Sequence, residues 1–123
     1  TDAPIRAIPQ LIYSIVYNLC DNAIKYNHCG GNVNIRVHQT LYNAVLSVKD
    51  TGIGIPEESR ERIFERFYRV DKSRSKEVGG TGLGLSIVKH AVMIHNGKIE
   101  VKSELGEGTE MIVTIPNKQD INL

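Results

Sequence analysis

Residues 79–88, Gly79-Gly80-Thr81-Gly82-Leu83-Gly84-Leu85-Ser86-Ile87-Val88, place four glycines within six positions and run directly into an apolar pattern with helical spacing. Glycine accepts positive φ and carries no Cβ, so such a run lets backbone N–H groups close around an anion. The helix that follows points its positive end at the same place. The outline is that of a phosphate cradle. Glycine-rich turns also occur where nothing binds, so the residues that stand opposite this one decide its meaning.

Downstream, Leu85, Val88 and Val92, with Ile87, Ala91 and Ile94 alongside, predict a long helix from Leu83 to Asn96, stopped at Asn96-Gly97. Two alternating runs follow, Lys98 to Lys102 and Glu110 to Pro116, joined by a turn containing Gly106-Glu107-Gly108-Thr109. Upstream, no periodicity survives between Val70 and Gly80. With Arg66, Arg69, Lys72, Arg74 and Lys76 in or beside it, this stretch reads as a mobile, basic loop of roughly ten residues, a lid over phosphates. Before it, a short helix is expected from Pro56 towards Phe64, with Glu57 and Glu58 favourable in its first turn and Phe64 and Phe67 as anchors.

At the other end of the chain, Pro9 fits a first helical turn, and Ile12, Ile15, Val16, Leu19, Ala23 and Tyr26 recur at helical spacing up to Asn27. At about 100° per residue, Asn18, Asn22 and Lys25 fall together along one flank of that buried stripe. A lone asparagine there would be an ordinary surface residue. Two at i and i+4 with a lysine at i+7 combine hard amide oxygens suited to Mg²⁺ with an ammonium suited to phosphate.

Strands are expected from Asn32 to His38 and from Ala44 to Asp50, with Tyr42-Asn43 in the hairpin turn between them. The second strand runs into Asp50-Thr51-Gly52-Ile53-Gly54-Ile55-Pro56. A carboxylate at a strand end, followed by glycines that let a flat ligand approach the backbone, suits recognition of an exocyclic amine. An Asp-led turn that merely caps the next helix is the plainer alternative. Hairpins rather than βαβ repeats predict one α/β (α+β) sandwich over residues 1–123, with helices packed on one face of a mixed, mainly antiparallel sheet.

Fifteen basic against fourteen acidic residues give a formal charge of +1, which supplies no general field for nucleic acid. No apolar run approaches the ~18 residues of a membrane span, so no direct membrane contact is expected. Cys20 and Cys29 lack zinc spacing and read as a reduced, cytosolic thiol pair.

Four motifs in fixed order carry a resemblance: Asn18-Leu19-Cys20-Asp21-Asn22-Ala23-Ile24-Lys25-Tyr26, the Asp50–Pro56 loop, Phe64-Glu65-Arg66-Phe67-Tyr68-Arg69, and Gly80-Thr81-Gly82-Leu83-Gly84-Leu85. They look like the N box, first glycine box, F box and second glycine box of the catalytic ATP-binding domain of sensor histidine kinases, a Bergerat-type fold. The resemblance runs from about Pro9 to Pro116. It implies that Asn22 holds Mg²⁺ with Asn18 beside it, that Lys25 meets phosphate oxygens, and that Tyr26 flanks the nucleoside. Asp50 resembles the acceptor of the adenine amine, Gly52, Gly54 and Ile55 the base pocket, and Thr109 the hydroxyl residue near that aspartate. Arg69 resembles the lid-side arginine that reaches the terminal phosphate. Gly80, Thr81, Gly82, Leu83, Gly84 and Leu85 form the second glycine box, whose glycines supply a hinge and N–H groups around the phosphates.

Related hydrolases open the N box with a glutamate that can take a proton from water. Asn18 stands at that position here, and an amide is no base near neutral pH, which favours phosphoryl transfer over hydrolysis. The resemblance implies ATP and Mg²⁺ as cofactors and a histidine on a separate dimerisation domain as acceptor, with a response regulator served indirectly. None of His28, His38, His90 and His95 is followed by the residues usual after such an acceptor; packing or capping is expected of His90 and His95. A further helix and strand commonly precede the N box in this family, so the chain reads as an excised fragment. It is expected to be a monomer in the cytoplasm, from a parent anchored in the membrane. An anti-sigma-factor-type serine kinase and an inactive nucleotide-sensing module of the same fold are the alternatives.

Overall fold

The computed structural model describes residues 7–68 and 83–117. The basic lid expected between Val70 and Gly80 lies outside the described residues. Helix α1 spans Pro9–Lys25, and its buried residues Ile15, Leu19 and Ala23 repeat every fourth position on one face. Helix α2 spans Gly84–Ile94 and buries Val88, Ala91 and Val92. Four strands follow the sequence alternation closely: β1 (Val33–Gln39), β2 (Asn43–Asp50), β3 (Lys98–Glu104) and β4 (Gly108–Pro116).

The strands form one sheet in the order β1-β2-β4-β3, antiparallel at every described pair, which narrows the expected mixed, mainly antiparallel sheet. Register sets the layers. Val48 lies opposite Met111, Leu46 opposite Val113 and Ala44 opposite Ile115, while Ile99 and Val101 continue the same rows on β3. Val48, Met111, Val113 and Ile115 are buried with the apolar faces of both helices and with Ile63, forming one core between sheet and helices. The intervening residues, Lys49, Glu100 and Lys102 among them, occupy the opposite face of the sheet. At the β1 edge Ile35 is still half exposed.

No side chain of its own turn caps α1. Instead the Ile8 N–H donates to Nε2 of His95, 3.0 Å away and completely buried just after α2. Because Nε2 accepts that bond, the imidazole proton belongs on Nδ1, which donates to the Ala91 carbonyl at 2.8 Å. The packing role expected of His95 is thus also a bond between helices. Asn96, at φ 56°, and Gly97 then turn the chain away, and the Gly97 N–H closes on the Val92 carbonyl at 2.9 Å.

The helix expected after Pro56 is replaced by two 3-10 turns, Glu57–Ser59 and Arg62–Phe64. So short a segment cannot sustain an α-helix unaided, and its side chains are held by different partners. Ser59 Oγ meets the Tyr68 hydroxyl at 2.8 Å, Arg60 Nη2 donates to the Ser103 carbonyl, and Arg62 pairs with Glu65 at 3.0 Å. Phe64 packs on the core as expected, but Phe67 does not anchor the segment. It takes φ 67° and lies 64% exposed, because the turn before Tyr68 rotates its ring outward.

Candidate functional site: a phosphate-side flank and a base loop

Two groups of expected site residues come together around the C-terminal half of α1. On the helix itself, Asn18 donates from Nδ2 to the Ser14 carbonyl at 2.8 Å, and its Oδ1 accepts no hydrogen bond from the described residues. A methyl group placed on Gly84 would stand 3.0 Å from that oxygen. The fold therefore brings the N box against the first residue of α2, although 66 positions separate Asn18 from Gly84 in the chain. Leu83 precedes the helix and its carbonyl accepts from Ser86 Oγ at 2.7 Å; Leu85 packs at the edge of the core. Lys25 is engaged, its ammonium 3.0 Å from Asp21 one turn earlier, and both side chains are about one-third exposed. Such a pair is weak and exchangeable, so it positions the ammonium without locking it. Arg69, Gly80, Thr81 and Gly82 lie outside the described residues.

The second group is the loop after β2. Asp50 is buried, and its Oδ1 accepts two backbone N–H groups, from Gly52 at 2.8 Å and from Thr109 at 3.2 Å. Oδ2 receives no hydrogen bond from the described residues. Burial raises the Asp50 carboxyl from its ordinary value, and the N–H bonds of Gly52 and Thr109 pull partly the other way. The loop is fastened on two sides. Towards α1, the Ile53 N–H donates to the Tyr26 carbonyl at 3.2 Å. A methyl on Gly52 would lie 2.3 Å from the same carbonyl. Towards β3 and β4, Gly106 N–H donates to the Ile53 carbonyl at 2.8 Å and Ile55 N–H to Ser103 Oγ at 2.8 Å. Gly54, at φ 76°, has room for no Cβ because the Glu104 carbonyl lies 2.3 Å from where one would sit.

Asp50, Gly52, Gly54, Ile55 and Thr109 are thus gathered into one hydrogen-bonded unit, joined to Tyr26 at the end of α1. Ser103 and Arg60 escaped the sequence reading. The one available signal was register: Ser103 lies opposite Thr109 on paired strands. Asn18 and Asn22 offer amide oxygens, and Asn22 makes no side-chain hydrogen bond among the described residues. That donor set fits a hard cation shared with phosphate and water. Among the described residues no group of three or more His, Cys, Asp or Glu could hold a metal, and no helix is long and apolar enough to cross a membrane.

Residues 7–119 match the family model of histidine kinase-, DNA gyrase B- and HSP90-like ATPases. The chain is 44% identical over 124 residues to the sensor-like histidine kinase SenX3 of Mycolicibacterium smegmatis, covering 98% of this chain and 32% of that protein. It is 45% identical over 111 residues to the sensor histidine kinase WalK of Bacillus subtilis, covering 89% of this chain and 18% of the relative. It therefore spans a third or less of these relatives. Among solved structures, the mycobacterial sensor histidine kinase MprB superposes with a TM-score of 0.83 at 34% identity, over 94% of this chain and 78% of that one. The catalytic domain of histidine kinase ThkA in a nucleotide-free form gives 0.80 at 32% identity, over 94% and 73%. The order of boxes, the antiparallel sheet under two helices and these matches agree: the chain belongs to the family of histidine kinase-, DNA gyrase B- and HSP90-like ATPases, on its sensor histidine kinase branch.

Proposed function

We propose that this chain is the ATP-binding catalytic domain of a two-component sensor histidine kinase, binding Mg²⁺-ATP and presenting the γ-phosphate to a histidine on a separate dimerisation domain. The observation that carries the reading is the state of Asp50: buried, with Oδ1 committed to two backbone N–H groups and Oδ2 left to a ligand, beside glycines that admit a flat ring. An adenine amine is the donor such a carboxylate suits. Asn18 and Asn22 would hold Mg²⁺, which when bound supplies charge neutralisation between the phosphates. Lys25, released from or shared with Asp21, meets phosphate oxygens, and Arg69 reaches the terminal one. Tyr26 walls the nucleoside. The second glycine box, Gly80 to Leu85, closes on the phosphates through its N–H groups.

These residues bind, orient and exclude water, which is most of what a protein contributes to phosphoryl transfer. Asn18 gives no general base, so water is not activated at that position and another nucleophile is favoured. The acceptor domain, and through it a response regulator, are the partners. The domain acts as a cytoplasmic monomer within a larger kinase anchored in the membrane.

The test is transfer in trans, combining the chain with γ-labelled ATP, Mg²⁺ and a matched histidine-bearing dimerisation domain. Acid-labile label on that domain is expected. Acid-stable label on a serine substrate would point to the serine kinase of the same fold, and tight ATP binding with no transfer to a nucleotide-sensing module. In parallel, Asn22→Ala should abolish the gain in nucleotide affinity that Mg²⁺ confers; an unchanged gain would remove Asn22 from the metal site.

A further inference from the structure

Ser103 stands on β3 opposite Thr109, and its hydroxyl is the meeting point of three bonds. Ile55 N–H donates to Oγ at 2.8 Å, the Gly108 carbonyl lies 3.0 Å away, and Thr109 Oγ1 lies 2.8 Å away. The backbone carbonyl of Ser103 is in turn held by Arg60 Nη2. One residue thus ties the base loop, the β3–β4 turn and the Asp50 partner Thr109 together.

The protons can be counted. A serine hydroxyl has one proton to give and two lone pairs to fill. One lone pair takes the Ile55 N–H. The Gly108 carbonyl can only accept, so the Ser103 proton goes there, and the second lone pair takes the Thr109 proton. Every bond is then made, and Thr109 Oγ1 keeps only lone pairs for any further partner. The reverse arrangement, in which Ser103 donates to Thr109, gives up the bond to Gly108.

We propose that Ser103 is a positioning residue for base selection, fixing Ile55 and holding Thr109 as an acceptor beside the Asp50 carboxylate. Resting on the adenine reading of Asp50, this deepens it. A pocket edge made of two acceptors suits an amino-bearing base such as adenine and opposes one that carries a carbonyl oxygen there, such as guanine. Ser103 itself touches no ligand; it acts through Thr109 and Ile55.

The experiment measures Kd for ATP and GTP, with Mg²⁺, on the chain and on Ser103→Ala and Ser103→Thr, alongside thermal unfolding. Ser103→Ala should lose about tenfold in ATP affinity while GTP changes little, so that the ATP/GTP preference drops by a similar factor; Ser103→Thr, which keeps the hydroxyl, should restore it. If alanine unfolds the chain, Ser103→Cys, close in size but a weak hydrogen-bonding group, replaces it. A lower melting temperature with the ATP/GTP ratio intact would reduce Ser103 to a structural role and overturn the proposal. If the unsubstituted chain prefers neither nucleotide, or Asp50→Asn leaves the preference unchanged, the base reading itself fails and this inference with it.

Discussion

Replacing Gly52 by alanine isolates the contact that seats the base loop against α1. The new Cβ would lie 2.3 Å from the Tyr26 carbonyl oxygen and 3.0 Å from Asp50 Oδ1. Carbon needs about 3.5 Å of separation, so one partner must retreat by roughly 1 Å. The carbonyl belongs to the backbone at the end of α1 and cannot rotate aside, so the loop yields. Its retreat weakens the Gly52 bond to Asp50, now 2.8 Å, and the Ile53 bond to Tyr26, now 3.2 Å. Two such bonds together are worth about 1–3 kcal/mol, which, lost from the loop that seats the nucleotide, appears as a loss of roughly 5- to 150-fold in nucleotide affinity. Gly30→Ala is the control. Gly30 sits at φ 82° with nothing within 4 Å and outside the loop, so alanine there meets backbone strain alone. That costs about 1–2 kcal/mol, a fall in Tm of roughly 3–8 °C, with affinity untouched. Isothermal titration with a non-hydrolysable ATP analogue, paired with thermal melts, reads both quantities. Equal affinity losses in the two variants, or a Gly52→Ala chain that binds within about threefold of the parent, would refute the reasoning.

Asp50 also predicts an unusual pH dependence. Its folded carboxyl titrates above its unfolded value, so between the two the folded state holds more protons, and stability falls as pH rises through that window. Adenine affinity should rise through the same window, because the amine needs the ionised acceptor. Opposite slopes of Tm and affinity, both flattened in Asp50→Asn, are the expected signature; parallel slopes would contradict it. His95→Ala removes a completely buried ring and its bonds to Ile8 and Ala91, and should cost roughly 2–4 kcal/mol in a denaturant melt. A loss below about 1 kcal/mol would mean that the N-terminus of α1 is held by something else.

Much of this was legible in the sequence because it is written locally. The stripe Ile15, Leu19, Ala23 has one period and so names one buried face; Leu46 and Val48 alternate with Ser47 and Lys49 and so name a sheet. Asp50 and its glycines were readable because a carboxylate at a strand end is a local pattern. The contacts that turn these patterns into a site are not local. Ile8 meets His95 across 87 residues and Ile55 meets Ser103 across 48, and neither histidine nor serine advertises its partner. The turns after Pro56 misled for a related reason. Helical composition was present there, but Ser59 is bound to Tyr68 and Arg60 to Ser103, partners outside the segment that its own composition does not reveal.

Both ends of α1 are fastened by backbone groups, Ile8 N–H to His95 and the Tyr26 carbonyl to Ile53 N–H. Between them lie the seventeen residues of the helix, roughly 25 Å at 1.5 Å per residue. The helix is therefore a gauge block whose length, rather than whose surface, sets the distance from the foot of α2 to the loop after β2. Side chains on its outer face can be exchanged freely under that constraint. A single inserted or deleted residue cannot, because it shifts one fastening by about 1.5 Å and turns it by about 100° relative to the other.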